Sequence, residues 1–358
     1  MALSIDVLSS YPPVQEAEVD KVLAEEIRDN EKKIVVLDDD PTGVQTVHDI
    51  SVYTNWEKAS IEQGFAEENK LFYILTNSRV FTAAQTKKAH KKIAEVVDQV
   101  AKETGKEYLF ISRSDSTLRG HYPLETTILK DEYEKNTGKK IDGEVLCPFF
   151  KEGGRFTIDD VHYVQYDDTL VPAAETEFAK DKTFGYTVSN LKEYVEEKTQ
   201  GAYNKENVKA ISLENIRELN YDKIEEQLLV VEDFNKVIVN EIEYVDVKIL
   251  CVAHLRALKK GKNFTFRTAA EHEQVMGGVS NQPLLTREQM VVKETDNGGI
   301  IVVGSHTDKT TRQMEKLREN KDNAFVELNA TLVNNEAAYA EEVERCLALE
   351  EEYISSGK

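Results

Sequence analysis

Two short polar runs hold most of the residues in this chain that could do chemistry. The first, Asp38-Asp39-Asp40-Pro41-Thr42-Gly43, ends the apolar run 34–37. Three adjacent carboxylates repel one another unless cations or hydrogen-bond donors sit among them. A helix cap needs one acid, and proline with glycine turns the chain sharply. The run therefore reads as a site for sugar hydroxyls, or for Mg2+ beside an acidic general base, ahead of a plain cap and turn. The second run, Arg113-Ser114-Asp115-Ser116-Thr117-Leu118-Arg119-Gly120-His121, follows the apolar run 108–111. Arginine forks grip carboxylates and phosphates in a bidentate manner. Asp115 is suited to orient an arginine or to accept a hydroxyl proton.

Weaker signals surround these two. Thr76-Asn77-Ser78-Arg79 ends the apolar run 71–75. Glu152-Gly153-Gly154-Arg155 and Ala174-Glu175-Thr176-Glu177-Phe178-Ala179-Lys180-Asp181 read equally well as solvated loops or substrate loops. Gly304-Ser305-His306-Thr307 places small residues before a helix, where N–H groups favour a phosphate, although the Walker A spacing is absent. His48, His121 and His162 lie near the polar runs and read as structural.

The elements that must position these residues follow from the apolar runs. Short β-branched runs alternating with helical stretches indicate an α/β fold with a mostly parallel sheet. In such sheets ligands bind beyond the carboxyl ends of the strands, where the polar runs fall. Residues 1–31 read as a loose lead-in and helix, and 32–285 as the main domain. Residues 297–358 read as a second α/β unit, with strands at 300–303 and 324–328 and helices at 309–320 and 335–354. Two strands and two helices are few for a separate core, so this unit is expected to be either a partial domain or an appendix packed on the first.

Composition narrows the function classes. Hydrophobic residues at 40% and charged residues at 31% describe a globular chain. No apolar run approaches the ~20 residues of a membrane helix, and the N-terminus lacks the pattern of a secretory signal. Cys147, Cys251 and Cys346 are scattered without a C-x-x-C pair, which fits a reducing cytoplasm and neither a disulfide framework nor a zinc site. A net charge of −21 repels nucleic acid, so an anionic substrate would need arginines gathered locally. Nothing in the sequence marks an oligomeric state.

Taken in order, the motifs resemble those of the four-carbon acid sugar kinases. That family's D-D-x-T-G is matched by Asp39 to Gly43, and its K-x-D-S-T-x-R-G by Arg113 to Gly120. Its P-x-x-x-E-x-G-R is matched by Pro148, Glu152, Gly154 and Arg155, and its T-E-F-A-x-D by Thr176 to Asp181. Gly304-Ser305 matches the segment that opens its nucleotide-binding domain. Two positions depart: Arg113 replaces the family's lysine, and Thr46 stands where an aspartate is usual. The resemblance implies a small sugar acid as substrate, ATP and Mg2+ as cofactors, and phosphoryl transfer to a terminal hydroxyl. It implies catalytic roles for Asp39 and Asp115, and substrate contacts from Asp40, Thr42, Gly43, Asn77, Arg79, Arg113, Ser116, Arg119 and Gly120. The ATP contacts would be Gly304 and Ser305, with weak nucleotide binding expected because no further glycine-rich loop follows. Two rivals remain. Asp38 and Asp40 also resemble the nucleophile and acid of haloacid-dehalogenase-type phosphatases, and the chain could bind a sugar acid without turning it over.

Overall fold

Apolar runs rich in β-branched and aromatic residues form strands that pair in parallel and are buried on both faces. In chain order the strands are β1 (Leu3–Ser4), β2 (Lys33–Asp38), β3 (Val52–Tyr53), β4 (Leu71–Leu75), β5 (Tyr108–Arg113) and β6 (Gly143–Cys147). They continue as β7 (Arg155–Ile158), β8 (Val161–Tyr166), β9 (Thr169–Pro172), β10 (Lys209–Ile211), β11 (Asn235–Val239) and β12 (Phe264–Thr268). The structure is a computed structural model that describes residues 1–291, 293–305 and 307–358. The chain divides into two units, Met1–Gln282 and Pro283–Lys358.

The first unit is built on an eight-stranded sheet of order β10-β11-β6-β12-β5-β2-β4-β3, parallel throughout. The pleat sends Ile34 and Val36 into one core and Val35 and Leu37 into another, so both faces are filled. The helices of this unit are α1 (Glu16–Asp29), α2 (Lys58–Ala66), α3 (Ala83–Thr104), α4 (Leu124–Thr137) and α5 (Leu191–Lys198). After them come α6 (Leu213–Arg217), α7 (Tyr221–Leu229), α8 (Tyr244–Lys259) and α9 (Ala270–Met276). α3 shows how locally the sequence sets its bounds. Thr82 and Gln85 form a capping box at its start, and Gly105 closes it with a left-handed φ of 67°.

Strand order places the site. β4 pairs with one edge of β2, and the chain then crosses to lay β5 along the other edge. The order in which strands are added to the sheet reverses about β2, the kind of switch point that opens a crevice at the carboxyl ends of such strands. Leu75, Asp38, Arg113, Thr268 and Cys147 lie side by side in register across that edge.

A second, antiparallel sheet of order β1-β9-β8-β7 belongs to the same unit. The sequence reads residues 1–31 as a loose lead-in followed by a helix. The helix forms as α1, which buries Val19 and Leu23 in the main core, and ahead of it Leu3 and Ser4 pair with β9. No helix among the described residues is long and apolar enough to cross a membrane.

The second unit contains α10 (Arg287–Met290), α11 (Asp308–Leu317) and α12 (Glu336–Ser355), the last two close to the expected helices. The strands expected at 300–303 and 324–328 are not formed. Ile301 and Val302 are 67% and 86% exposed, and no neighbouring strand among the described residues supplies the ladder that an apolar run needs.

At the end of β2 the chain doubles back so tightly that a Cβ on Gly43 would lie 1.7 Å from Asp38 Oδ2. Gly43→Ala must push the buried carboxyl or the turn aside, which costs about 1–3 kcal/mol. Urea unfolding should show that loss, and an unchanged midpoint would contradict the close approach.

Candidate active site

The side chains at the strand ends form two linked layers. In the lower one, Asp38 is 1% exposed. It accepts the Asp40 N–H at 3.3 Å and has Arg113 Nη1 at 3.7 Å. Burial pushes its pKa up to about 7 against the pull of Arg113. Arg113 also faces Glu273 at 3.9 Å and donates to Gln45 at 3.4 Å. Burial raises Glu273 to about 8, with Arg113 again opposing. One guanidinium thus stands between two buried acids at longer than ideal range.

The upper layer faces the crevice and is organised by Arg79, at the foot of the loop after β4. Its guanidinium reaches Asp39 at 2.7 Å, Asp40 at 3.1 Å and Asp115 at 3.5 Å. Arg119 Nε donates to Asp115 at 2.8 Å, and Thr117 Oγ1 donates to the same carboxylate. The three acids respond differently. Burial raises Asp39 to about 6 despite Arg79. For Asp40, Arg79 and the hydrogen bonds from Thr42 outweigh burial and lower the pKa. For Asp115, burial is overcome by Arg79 and Arg119, which hold the carboxyl well below its usual range. Asp115 is therefore a fixed anion that anchors two arginines. Asp39 keeps Oδ2 buried without a partner, and its pKa is closer to what a general base requires.

The loop 114–120 is held from behind. Tyr186 and Tyr194 donate their hydroxyls to the carbonyls of Thr117 and Leu118, each at 2.8 Å. His162 lies 2.7 Å from the Ser116 carbonyl, and burial lowers its pKa to about 4, so it stays neutral. These contacts hold Leu118 at a left-handed φ of 69°. Gly120 has a φ of 119°, and a Cβ there would sit 3.3 Å from Asp39 Oδ2 and 3.6 Å from Arg267 Nη2.

The sequence-derived residues fall as follows. Asp39, Asp40, Arg79, Asp115 and Arg119 form one ion-paired cluster. Arg113 lies beneath it, 4% exposed. Thr42 is an exposed turn residue whose N–H donates to Asp40 at 2.8 Å. Gly43 roofs Asp38, and Asn77, at a φ of 52°, donates its N–H to the Asp38 carbonyl. Ser116 and Gly120 belong to the braced loop. Gly304 and Ser305 are exposed in the second unit, where Ser305 Oγ lies 2.9 Å from Thr310 Oγ1. His306 lies outside the described residues.

The sequence reading passed over Arg267, Glu125 and Glu273. Arg267, 3% exposed on β12, donates to the Arg119 carbonyl at 3.0 Å and lies over the Tyr122 ring. Glu125 accepts Ser78 Oγ at 2.7 Å. The available signal was an arginine inside the strand-like run Phe264-Thr265-Phe266-Arg267-Thr268.

Among the described residues, no group of three or more His, Cys, Asp or Glu side chains is arranged to hold a metal. The crevice acids are turned onto guanidinium groups, so these residues do not fit a protein-held Mg2+, and no chemical step here passes through one.

The shifts fix a pH dependence. Asp38 moves from 3.8 to about 7 on folding, so between those values the folded chain holds a proton that the unfolded chain releases. Its contribution to stability therefore falls as pH rises through that window. Urea unfolding across the window should give a shallower decline for Asp38→Asn than for the wild type, and parallel slopes would contradict the assignment.

Comparison with known proteins bears on the family and the fold. The family model for the sugar-binding N-terminal domain matches residues 34–275. No curated protein matches the chain by sequence. A DUF1537 domain of unknown function from Bordetella bronchiseptica, solved with bound citrate as a domain-swapped dimer, is similar at TM-score 0.50 and 18% identity. The match covers 87% of this chain and 70% of that one. A Salmonella typhimurium LT2 protein provisionally named a tRNA synthase is similar at TM-score 0.52 and 15% identity, over 88% of this chain and 71% of that one. At these identities the likeness bears on the fold alone, and it agrees with the α/β class. The extent of the family match assigns membership: this chain belongs to the family that carries the sugar-binding N-terminal domain.

Proposed function

We propose that the crevice at the ends of β2, β4 and β5 binds a small polyhydroxy acid, and that the protein is a kinase that phosphorylates a terminal hydroxyl of that acid with ATP. The observation that carries this reading is the pairing of a buried, unpartnered Asp39 Oδ2 with the Arg79 guanidinium that joins Asp39, Asp40 and Asp115. Asp39 offers an acceptor for a substrate hydroxyl, while Asp40 and the backbone of the braced loop offer further polar contacts. As the hydroxyl oxygen bonds to the γ-phosphorus of ATP, the bond from that phosphorus to the bridging oxygen breaks, ADP leaves, and the hydroxyl proton passes to Asp39. Phosphoryl transfer needs mainly positioning and charge neutralisation, which arginines supply. Gly304 and Ser305 are the proposed phosphate contacts, by resemblance to the four-carbon acid sugar kinases. Citrate in the Bordetella neighbour supports a small acid as the ligand class.

The phosphatase alternative is weaker on geometry. A carboxylate nucleophile must reach phosphorus, and Asp38 lies under Gly43 and faces Arg113, below the layer that holds Asp39 and Asp40. A thermal-shift screen of four-carbon sugar acids, with and without ATP–Mg2+, should raise the melting temperature with at least one acid. In a coupled ADP-release assay with that acid, Asp39→Asn should cut turnover about 10²–10⁴-fold. ATP-independent phosphate release from a sugar phosphate, abolished by Asp38→Asn, would overturn the kinase reading. Acid binding without ADP release would leave a binding protein.

A further inference from the structure

The sequence offers Arg113 and Arg119 as grips for a substrate carboxylate. The fold buries Arg113 between Asp38 and Glu273, while Arg119 is 28% exposed and keeps part of its guanidinium open beside Asp115 and Asp181. Arg155 differs. It opens β7, where its backbone N–H and C=O pair with Phe150. Its side chain is half-buried, its Nε is buried without a partner, and it forms no ion pair among the described residues.

A guanidinium whose Nε is out of water with no acceptor or anion beside it is costly. In a chain of net charge −21, where acids are plentiful, its isolation calls for an explanation. The surroundings supply one. The Arg155 guanidinium carbon lies 5.5 Å from the centre of the Phe178 ring, and that of Arg119 lies 5.1 Å from the same centre. Arginine held against an aromatic ring keeps its edge N–H groups free for a bidentate acceptor. Asp115 neutralises Arg119 in part and does not pair with Arg155. Two guanidinium groups therefore share one ring; Asp115 and Asp181 both lie within ion-pair distance of Arg119, and Arg155 has no such partner among the described residues.

We propose that Arg155 and Arg119 hold the substrate carboxylate beside Phe178, which turns the hydroxyl end of the acid toward Asp39 and Asp40. This assignment rests on the reading of the crevice as a polyhydroxy-acid site. The direction follows from the ion-pair chain. Arg119 contacts Asp115, Asp115 contacts Arg79, and Arg79 contacts Asp39 and Asp40. An acid anchored at Arg155 lies along that chain, with its carboxylate away from Asp39 and Asp40, which would repel it. The site then selects acids over neutral polyols of the same length. It places the hydroxyl farthest from the carboxylate nearest Asp39.

The test is calorimetric titration of the full chain with the four-carbon aldonates, threonate and erythronate, and with the matching tetritols. The wild type should bind at least one aldonate and prefer it to its tetritol. Arg155→Ala should weaken aldonate binding about ten- to hundredfold, since a charged hydrogen-bond partner is lost. Arg155→Lys should restore part of the loss, and tetritol binding should not change. If Arg155→Ala fails to fold, Arg155→Gln, which keeps the bulk of the side chain, decides in its place. Undiminished aldonate affinity in the folded variants overturns the Arg155 assignment and leaves the crevice reading intact. A wild type that binds no aldonate overturns both.

Discussion

One guanidinium holds the crevice together. Arg79 sits within ion-pair distance of Asp39, Asp40 and Asp115, carboxylates that come from the ends of two different strands. Without a shared cation, three acids this close would force at least one to take up a proton or turn away. The sheet order makes the sharing possible. β4 and β5 flank β2 on opposite sides, so the loop after β4 delivers Arg79 to acids that follow β2 and β5. The same arrangement separates the acids by protonation. Asp115 and Asp40 are held as anions, while Asp39 is buried deeply enough to rise to about 6.

Rigidity behind the crevice comes from groups that never face it. Tyr186, Tyr194 and His162 fix three successive carbonyls of the loop after β5, and all three side chains are buried. Two of them depend on the antiparallel sheet and its continuation, since His162 lies on β8 and Tyr186 follows β9. This explains why a small second sheet is built onto a parallel one. It turns a flexible loop into a wall on which Asp115 and Arg119 keep their orientation. A preorganised polar wall of this kind holds a polar or charged ligand without having to rearrange.

The central strands and most of the site were legible in the sequence for a physical reason. A strand buried on both faces reads as an unbroken apolar run, and the polar residues that end it stand out, as at Asp38 to Asp40 and Arg113 to Arg119. What escaped notice lacked that contrast. β12, in the middle of the sheet, interleaves threonines and an arginine with its phenylalanines, and Arg267 and Thr268 find partners within the protein. Glu273 lies on a helix buried along its whole length, where an acid contradicts any surface-based expectation. The opposite error occurred at 300–303, where β-branched residues suggested a strand. Such a run needs a neighbour to pair with, and composition alone does not report whether one is present.

The central claim is a place: a small hydroxy acid lies across the ends of β2, β4 and β5. The most direct measurement is a crystal structure of the chain grown with a four-carbon sugar acid. The account predicts the acid within hydrogen-bond distance of Asp39 Oδ2, the acceptor left without a partner beside Gly120. An ordered acid bound instead in the cavity lined by Tyr11, Asp159, Arg217 and Asn240, with the Arg79 cluster untouched, would contradict it.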